Sequence, residues 1–210
     1  MQLKFTRYFP TKKEGIGGKP TNFTEKIIKS LDGSKHINPH DFKYLMDWMV
    51  VHKKFSFKYY MNLPESYKGK IHTMREDKIG KWNEGDKIDM MMNDGMKEMF
   101  RFLPTVPCLG IETCQIEYFI GCGNYPNVYV GGRLLSNKEF EKLCLNDGFD
   151  NVEQFCQYFD KDWKGKIIHW TDFKYTSRSK CDNRCLKEKT SCEKCIKEFN
   201  EYKQKHNIKS

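Results

Sequence analysis

The sequence lacks the features of a membrane or secreted protein. A membrane-spanning helix needs about 20 mostly apolar residues, and no comparable run occurs in this chain. Residues 1–7 contain no apolar signal-peptide core. We therefore expect a cytoplasmic protein without a membrane partner.

Internal repeats and a phosphate-binding loop are also missing. The glycine-rich segment 15–21 does not have the G-x-x-x-x-G-K-[ST] spacing of that loop. This excludes one common class of nucleotide site, and the sequence predicts no organic cofactor.

Composition and charge indicate a folded protein with a polyanionic partner. The chain has 210 residues, of which 38% are hydrophobic and 14% aromatic, enough for a packed core. Lys and Arg number 37 against 28 Asp and Glu, which gives a net charge of +9. From Lys174 onward there are 11 basic and 5 acidic residues, so +6 of the total lies in this tail. A phosphate-contacting arm and a solvated basic tail are both consistent with it.

The nine cysteines fall into two groups. Five are scattered and are expected to be reduced, small buried side chains in a cytoplasmic protein. The other four, in the tail, have the pattern C-x3-C-x6-C-x2-C and comprise Cys181, Cys185, Cys192 and Cys195. Four thiolates suit one structural zinc ion, which would stabilise a segment that has almost no apolar core. Two disulfides in a helical hairpin, or unliganded thiols, are the alternatives.

The pattern of elements predicts an α+β fold. Strands are expected at both ends of residues 3–175, with helices between them, and 176–210 forms a helical, cysteine-rich appendage. Residues 36–68 look like an insertion packed on a core made elsewhere. Within it, the aromatic run 55–61 is expected to be a strand or extended arm. Residues 127–135 are expected to be one short strand.

The motif Lys70-x-x-Thr73-x-Arg75 carries the most chemistry. On a strand, Thr73 and Arg75 share a face. A neighbouring lysine can activate a threonine hydroxyl, either as a base or as a fixed cation. Arg75 could hold a phosphate or carboxylate. The alternative interpretation is an edge strand with ordinary charges.

Three segments resemble an ASCH domain, a branch of the PUA-like superfamily. They are FTRYF at 5–9, GKIHTMRED at 69–77 with WNEGDKI at 82–88, and NDGF at 146–149 with GKIIHW at 165–170. The resemblance covers roughly residues 3–175. It implies a small, mixed PUA-like β-barrel with flanking helices and a cleft that binds RNA or a modified nucleobase.

The resemblance also implies an alternative, enzymatic function. Some ASCH proteins are amidohydrolases that remove an acyl group from the exocyclic nitrogen of cytidine. By that resemblance Thr73 is the nucleophile, Lys70 activates it, and Asp147 protonates the leaving amine. Asp147 stands where those enzymes have glutamate, and its shorter side chain could disrupt proton transfer. The alternative interpretation of Asp147-Gly148 is a turn that ends a helix.

The expected binding residues are an arginine pair and several rings: Arg7, Arg75, Trp82, His169 and Trp170. Aromatic stacking with a few edge hydrogen bonds is the usual way to bind a base. The other interpretation of each ring is a core residue. RNA or a modified nucleoside is the predicted partner, with DNA left open. A third function is a protein-interaction module with a vestigial cleft.

Overall fold

A computed structural model describes residues 1–32, 34–93, 99–118 and 125–176. The chain divides into two units, Met1–Tyr175 and Thr176–Ser210, and the architecture below belongs to the first. In chain order the elements are β1 (Gln2–Thr6), α1 (Phe23–Leu31), α2 (Pro39–Val51), α3 (Phe57–Met61), β2 (His72–Arg75), β3 (Lys87–Asn93), β4 (Met99–Arg101), β5 (Val106–Pro107), β6 (Gly110–Glu117), β7 (Asn127–Val130), β8 (Arg133–Leu134), α4 (Asn137–Asn146), α5 (Val152–Tyr158) and β9 (Trp163–His169).

The strands form two sheets. In the first, β3 lies between β1 and β4 and also pairs with β5, and the β1–β3 pair is parallel. The second has the order β2-β9-β6-β7-β8 and is antiparallel throughout. Together with the helices this confirms the predicted α+β class, and the described strands do not close into a barrel. None of the helices in the described ranges is both long and apolar enough to cross a membrane.

Strands β2 and β9 separate two apolar cores. Successive residues of β9 alternate between them, as the period of two in a strand requires. Ile168 packs in a core with residues of α1, β1 and β3, whereas Ile167 packs with residues of α4 and α5. Side chains on β2 therefore project toward one core or the other, and the polar side chains of His72 and Thr73 are buried.

The insertion packs on the first core, and it contains a helix where the sequence suggested a strand. Met49 and Phe55 are buried in that core. The aromatic run forms α3 because Ser56 caps it: the Ser56 side chain accepts a hydrogen bond from Tyr59 N at 3.3 Å. The local cap thus outweighs the strand preference of the aromatic residues.

The segment expected to be one short strand is a hairpin of β7 and β8. Gly131 and Gly132 lie at its turn with φ values of 59° and 80°. Two successive residues in the left-handed region suit a tight hairpin turn, which explains why the strand reverses here.

Gly69 brings the chain close to α1 just before β2. It has φ +80°, and an added Cβ would lie 2.3 Å from the Lys26 carbonyl oxygen and 2.6 Å from Ser30 N. The next residue, Lys70, donates its backbone N–H to the same Lys26 carbonyl at 2.9 Å. Only glycine fits this approach, which fixes where the Lys70 side chain begins.

We expect Gly69→Ala to lower the free energy of unfolding by about 2–4 kcal/mol, because strain at positive φ adds to a clash with backbone atoms. Gly80 is the matched control: it also has positive φ, at 64°, but an added Cβ would meet nothing within 4 Å. Gly80→Ala should cost only about 1 kcal/mol. Urea denaturation measures both variants, and equal losses would show that the close approach at residue 69 is unimportant.

Candidate functional site

The Lys70 side chain is buried and faces Asp147. Its Nζ donates to Asp147 Oδ1 at 2.7 Å and also to the Asp147 carbonyl oxygen. Only 1% of Lys70 and 4% of Asp147 are exposed. Two residues separated by 77 positions thus form an ion pair inside the fold.

The end of α4 presents the Asp147 carboxylate to β2. Asp147 is the C-cap of α4, so the prediction of a helix-ending turn at this position is confirmed. Oδ1 of Asp147 also accepts the backbone N–H of Met74 at 3.2 Å. Gly148 follows with φ +89°, and an added Cβ there would lie 2.9 Å from Lys70 Cδ. The glycine therefore leaves room for the lysine stem beside the turn.

Thr73 lies on the same face of β2 as Arg75 and is 1% exposed. Arg75 and Lys70 both contact the Phe5 ring, with Arg75 Cζ 5.2 Å and Lys70 Nζ 5.9 Å from its centroid. Two of the three motif residues, Lys70 and Arg75, thus meet at one buried ring. Both hydrogen bonds of Lys70 Nζ go to Asp147, so in this conformation the ammonium is engaged by the carboxylate and not by the Thr73 hydroxyl.

Burial sets the protonation of this pair. It lowers the pKa of Lys70 to about 8, an effect that the attraction of Asp147 only partly offsets. Burial alone would raise the pKa of Asp147, but Lys70 and His72 outweigh it and the pKa falls below its ordinary value. Asp147 is therefore ionised near neutral pH, and Lys70 is the group that exchanges a proton there.

A second buried lysine contacts the turn after α4. Lys26 Nζ, from α1, donates to the Gly148 carbonyl at 2.7 Å and to Asp150 Oδ1 at 2.6 Å. Lys26 on α1 and Lys70 just before β2 thus both donate to the same short turn. No sequence motif includes Lys26, and the only signal for it is a charge on the apolar face of α1.

A polar network adjoins the Lys70–Asp147 ion pair. Of its side chains, only His169 was predicted from the sequence as a site residue. His72 Nε2 lies 2.7 Å from the Tyr175 hydroxyl, which accepts from Asn146 Nδ2 at 2.9 Å. The facing residue on β9, His169, has Nε2 2.8 Å from Glu112 Oε2, without the alignment of a hydrogen bond. The backbone N–H of Tyr175 donates to the same Glu112 oxygen at 3.0 Å.

This network reaches the Lys70–Asp147 ion pair through His72. Its Nδ1 lies 3.5 Å from Asp147 Oδ1, too poorly aligned for a hydrogen bond. Burial lowers the pKa of His72 to about 4, despite the nearby carboxylate. Burial likewise lowers the pKa of His169, although Glu112 opposes the shift. Both rings are neutral at physiological pH.

Arg7, one of the predicted binding residues, lines a small cleft at the start of α1. This cleft has a volume of 60 Å³, and its other walls include Tyr8, Phe23, Glu25 and Ser56. The Phe23 ring also lies 4.7 Å from Lys70 Nζ. The ring thus contacts both the cleft and the buried lysine.

The structure places the remaining predicted binding residues away from that cleft. Arg75 donates from Nη2 to the Lys4 carbonyl at 2.8 Å. Trp82, Trp170 and His169 are almost fully buried, and Trp170 Nε1 donates to Ser30 Oγ at 3.2 Å. In this conformation none of the three rings presents a face to solvent.

The predicted zinc ligands Cys181, Cys185, Cys192 and Cys195 lie outside the described residues. Within the described ranges, no group of three or more His, Cys, Asp or Glu side chains is arranged to hold a metal ion.

Comparison with known protein families, with curated proteins and with solved structures finds no match.

The lowered pKa of His72 predicts a loss of stability in acid. Since the ring titrates near 6.5 when unfolded and at about 4 when folded, the unfolded chain binds more protons between these values. The contribution of His72 to the free energy of unfolding is complete above pH 6.5 and is lost as the pH falls toward 4. We expect His72→Gln to reduce the difference in unfolding free energy between pH 7 and 4.5 by about 2–3 kcal/mol. Urea titrations at both pH values measure it.

His40 provides the control, because it is exposed on α2. His40→Gln should keep the wild-type difference between the two pH values. A wild-type difference in His72→Gln as well would contradict this account of the buried ring.

Proposed function

We propose that the protein is an ASCH-type protein that binds RNA or a modified nucleobase at the cleft formed by Arg7, Tyr8 and Phe23. One observation carries the proposal. Lys70 and Asp147, both matched by the motif resemblance, form a buried ion pair at 2.7 Å. The Phe23 ring lies between this pair and the cleft: it lines the cleft, and its centroid is 4.7 Å from Lys70 Nζ.

The rim of the cleft has the chemistry that a nucleotide needs. The Tyr8 ring is 51% exposed and offers a stacking face. Arg7 adds a guanidinium beside it, suited to a phosphate. The net charge of +9 favours a polyanionic partner.

Binding of a base requires Phe23 to turn aside. The cleft volume of 60 Å³ holds about two water molecules, which is too little for a base. A base that replaced the Phe23 ring would meet the Lys70 ammonium, a hydrogen-bond donor for a base carbonyl. The insertion contributes to the same place, since Ser56 N donates to Glu25 Oε1 at 2.7 Å.

We extend the proposal to the fold: the two sheets are the two halves of a PUA-like barrel. Two features support it. The chain runs directly from β5 in the first sheet to β6 in the second. At the other side, Arg75 on β2 donates to the Lys4 carbonyl of β1, so a side chain links two edge strands.

The lowered pKa of Lys70 favours a second candidate function, an amidohydrolase. With a pKa of about 8, part of Lys70 is the neutral amine near pH 7, and after a shift of the amine toward the Thr73 hydroxyl it can take the Thr73 proton. The Thr73 oxygen would bond to the acyl carbon, the carbon–nitrogen bond would break, and the amine would leave with the proton from Lys70. Water then hydrolyses the threonine ester. Because Asp147 is ionised, Lys70 replaces it as the proton donor, and Asp147 orients Lys70.

Zinc binding by the tail remains a prediction from the sequence. A structural zinc at the four tail cysteines would fold a basic segment that adds phosphate contacts.

One experiment separates the two candidate functions. N4-acetylcytidine is mixed with the protein, binding is followed by calorimetry, and free cytidine is measured by chromatography. We expect binding that Tyr8→Ala weakens about tenfold, because stacking on one ring contributes about 1–3 kcal/mol. Tyr44→Ala is the control: Tyr44 is 68% exposed on α2 and does not line the cleft.

Release of cytidine that Thr73→Val abolishes would establish the amidohydrolase instead. Binding without release supports the binding function. If neither N4-acetylcytidine nor a short single-stranded RNA binds, both functions fail and the interaction-module alternative is left.

A further inference from the structure

One cavity among the described residues has no role in the function above. It has a volume of 490 Å³, within the range of about 300–1,000 Å³ typical of small-molecule sites. It lies where the loop before β2, the end of α1, α4 and the segment after β9 meet. Gly69 and Ile71 line it, but the Lys70 side chain between them does not. The cavity is thus distinct from the Lys70–Asp147 ion pair.

The charges around this cavity favour an anion. Lys68 and Lys142 line it and are exposed, and no carboxylate belongs to its wall. Asp172 is the nearest acidic residue in sequence to the lining residue Phe173, but it does not line the cavity. Two ammonium groups without an opposing acid attract a phosphate or carboxylate, and a lysine acts there as a point charge.

Other groups of the wall suit a flat ring. The Phe173 ring is half-buried and has Lys142 Nζ 4.8 Å from its centroid. Ile71 and Leu145 add apolar surface. An aromatic face beside a lysine therefore brings a stacking surface and a positive charge to the same place.

The wall also offers polar atoms for a ring edge. Tyr67 lines the cavity, and its hydroxyl is buried without a hydrogen-bond partner among the described residues. That hydroxyl has almost no accessible surface, so a ligand in the cavity does not reach it, and Tyr67 contributes its ring to the wall. Thr171 Oγ1 makes only a long hydrogen bond of 3.5 Å to the Ile71 carbonyl. A ligand oxygen or nitrogen would give Thr171 Oγ1 a better partner.

We propose that this cavity binds a nucleoside monophosphate, with the base against Phe173 and the phosphate at Lys68 and Lys142. A single molecule then meets all three features of the wall: the lysine charges, the Phe173 ring face and the Thr171 hydroxyl. This proposal does not depend on the cleft at Arg7 and Tyr8.

Calorimetry with the four common nucleoside 5′-monophosphates tests the site, with the parent nucleosides and inorganic phosphate as comparison ligands. At least one monophosphate should bind with a Kd below about 1 mM, and its nucleoside and phosphate alone should each bind about tenfold more weakly. Lys142→Glu should weaken the monophosphate about tenfold. Lys12→Glu, the same charge change at an exposed residue outside the cavity wall, should not.

Two further variants make the result unambiguous. Phe173→Leu keeps an apolar side chain but removes the ring, and it should weaken the monophosphate more than inorganic phosphate. The titrations are repeated in the Tyr8→Ala background, which removes stacking at the cleft, and Lys142→Glu should weaken the monophosphate about tenfold there as well. The proposal is overturned if no monophosphate binds, or if Lys142→Glu binds as well as wild type while its melting temperature is unchanged.

Discussion

The buried ion pair of Lys70 and Asp147 is the interaction on which the site depends. Removing two charges from water is costly, and the pair is tolerated only because both partners make further hydrogen bonds. The Asp147 carboxylate accepts from Lys70 and from the backbone of β2, and Lys70 also donates to the Asp147 carbonyl. One carboxylate thus fixes the end of α4 against the edge strand of the second sheet.

Glycines at two positions make this geometry feasible. Gly69 allows the chain to pass against α1, and Gly148 leaves space for the lysine stem. The polar groups then continue through His72 to Tyr175, between the two apolar cores. Polar groups in such a place are weak evidence for stability and better evidence for a specific role. Catalysis or binding at Lys70 would draw on the low dielectric that burial provides.

The sequence predicted local features better than burial. The strand at Thr73 and the helix-ending turn at Asp147 follow from nearby residues and were predicted. The His72–Tyr175 contact spans 103 positions, and no local pattern indicates it. The burial of Trp82 and Trp170 likewise depends on how distant elements pack. Ser56 shows a local signal that was overlooked, since a capping serine before an aromatic run favours a helix.

A double-mutant cycle on the ion pair tests the central claim most directly. Lys70→Met and Asp147→Asn each leave one buried charge without its partner, so each should lower the free energy of unfolding by about 3–5 kcal/mol. The double variant buries no charge at this site and should lose clearly less than the sum of the two. Additive losses in urea denaturation would show that Lys70 and Asp147 are not coupled, and would contradict the account of the site.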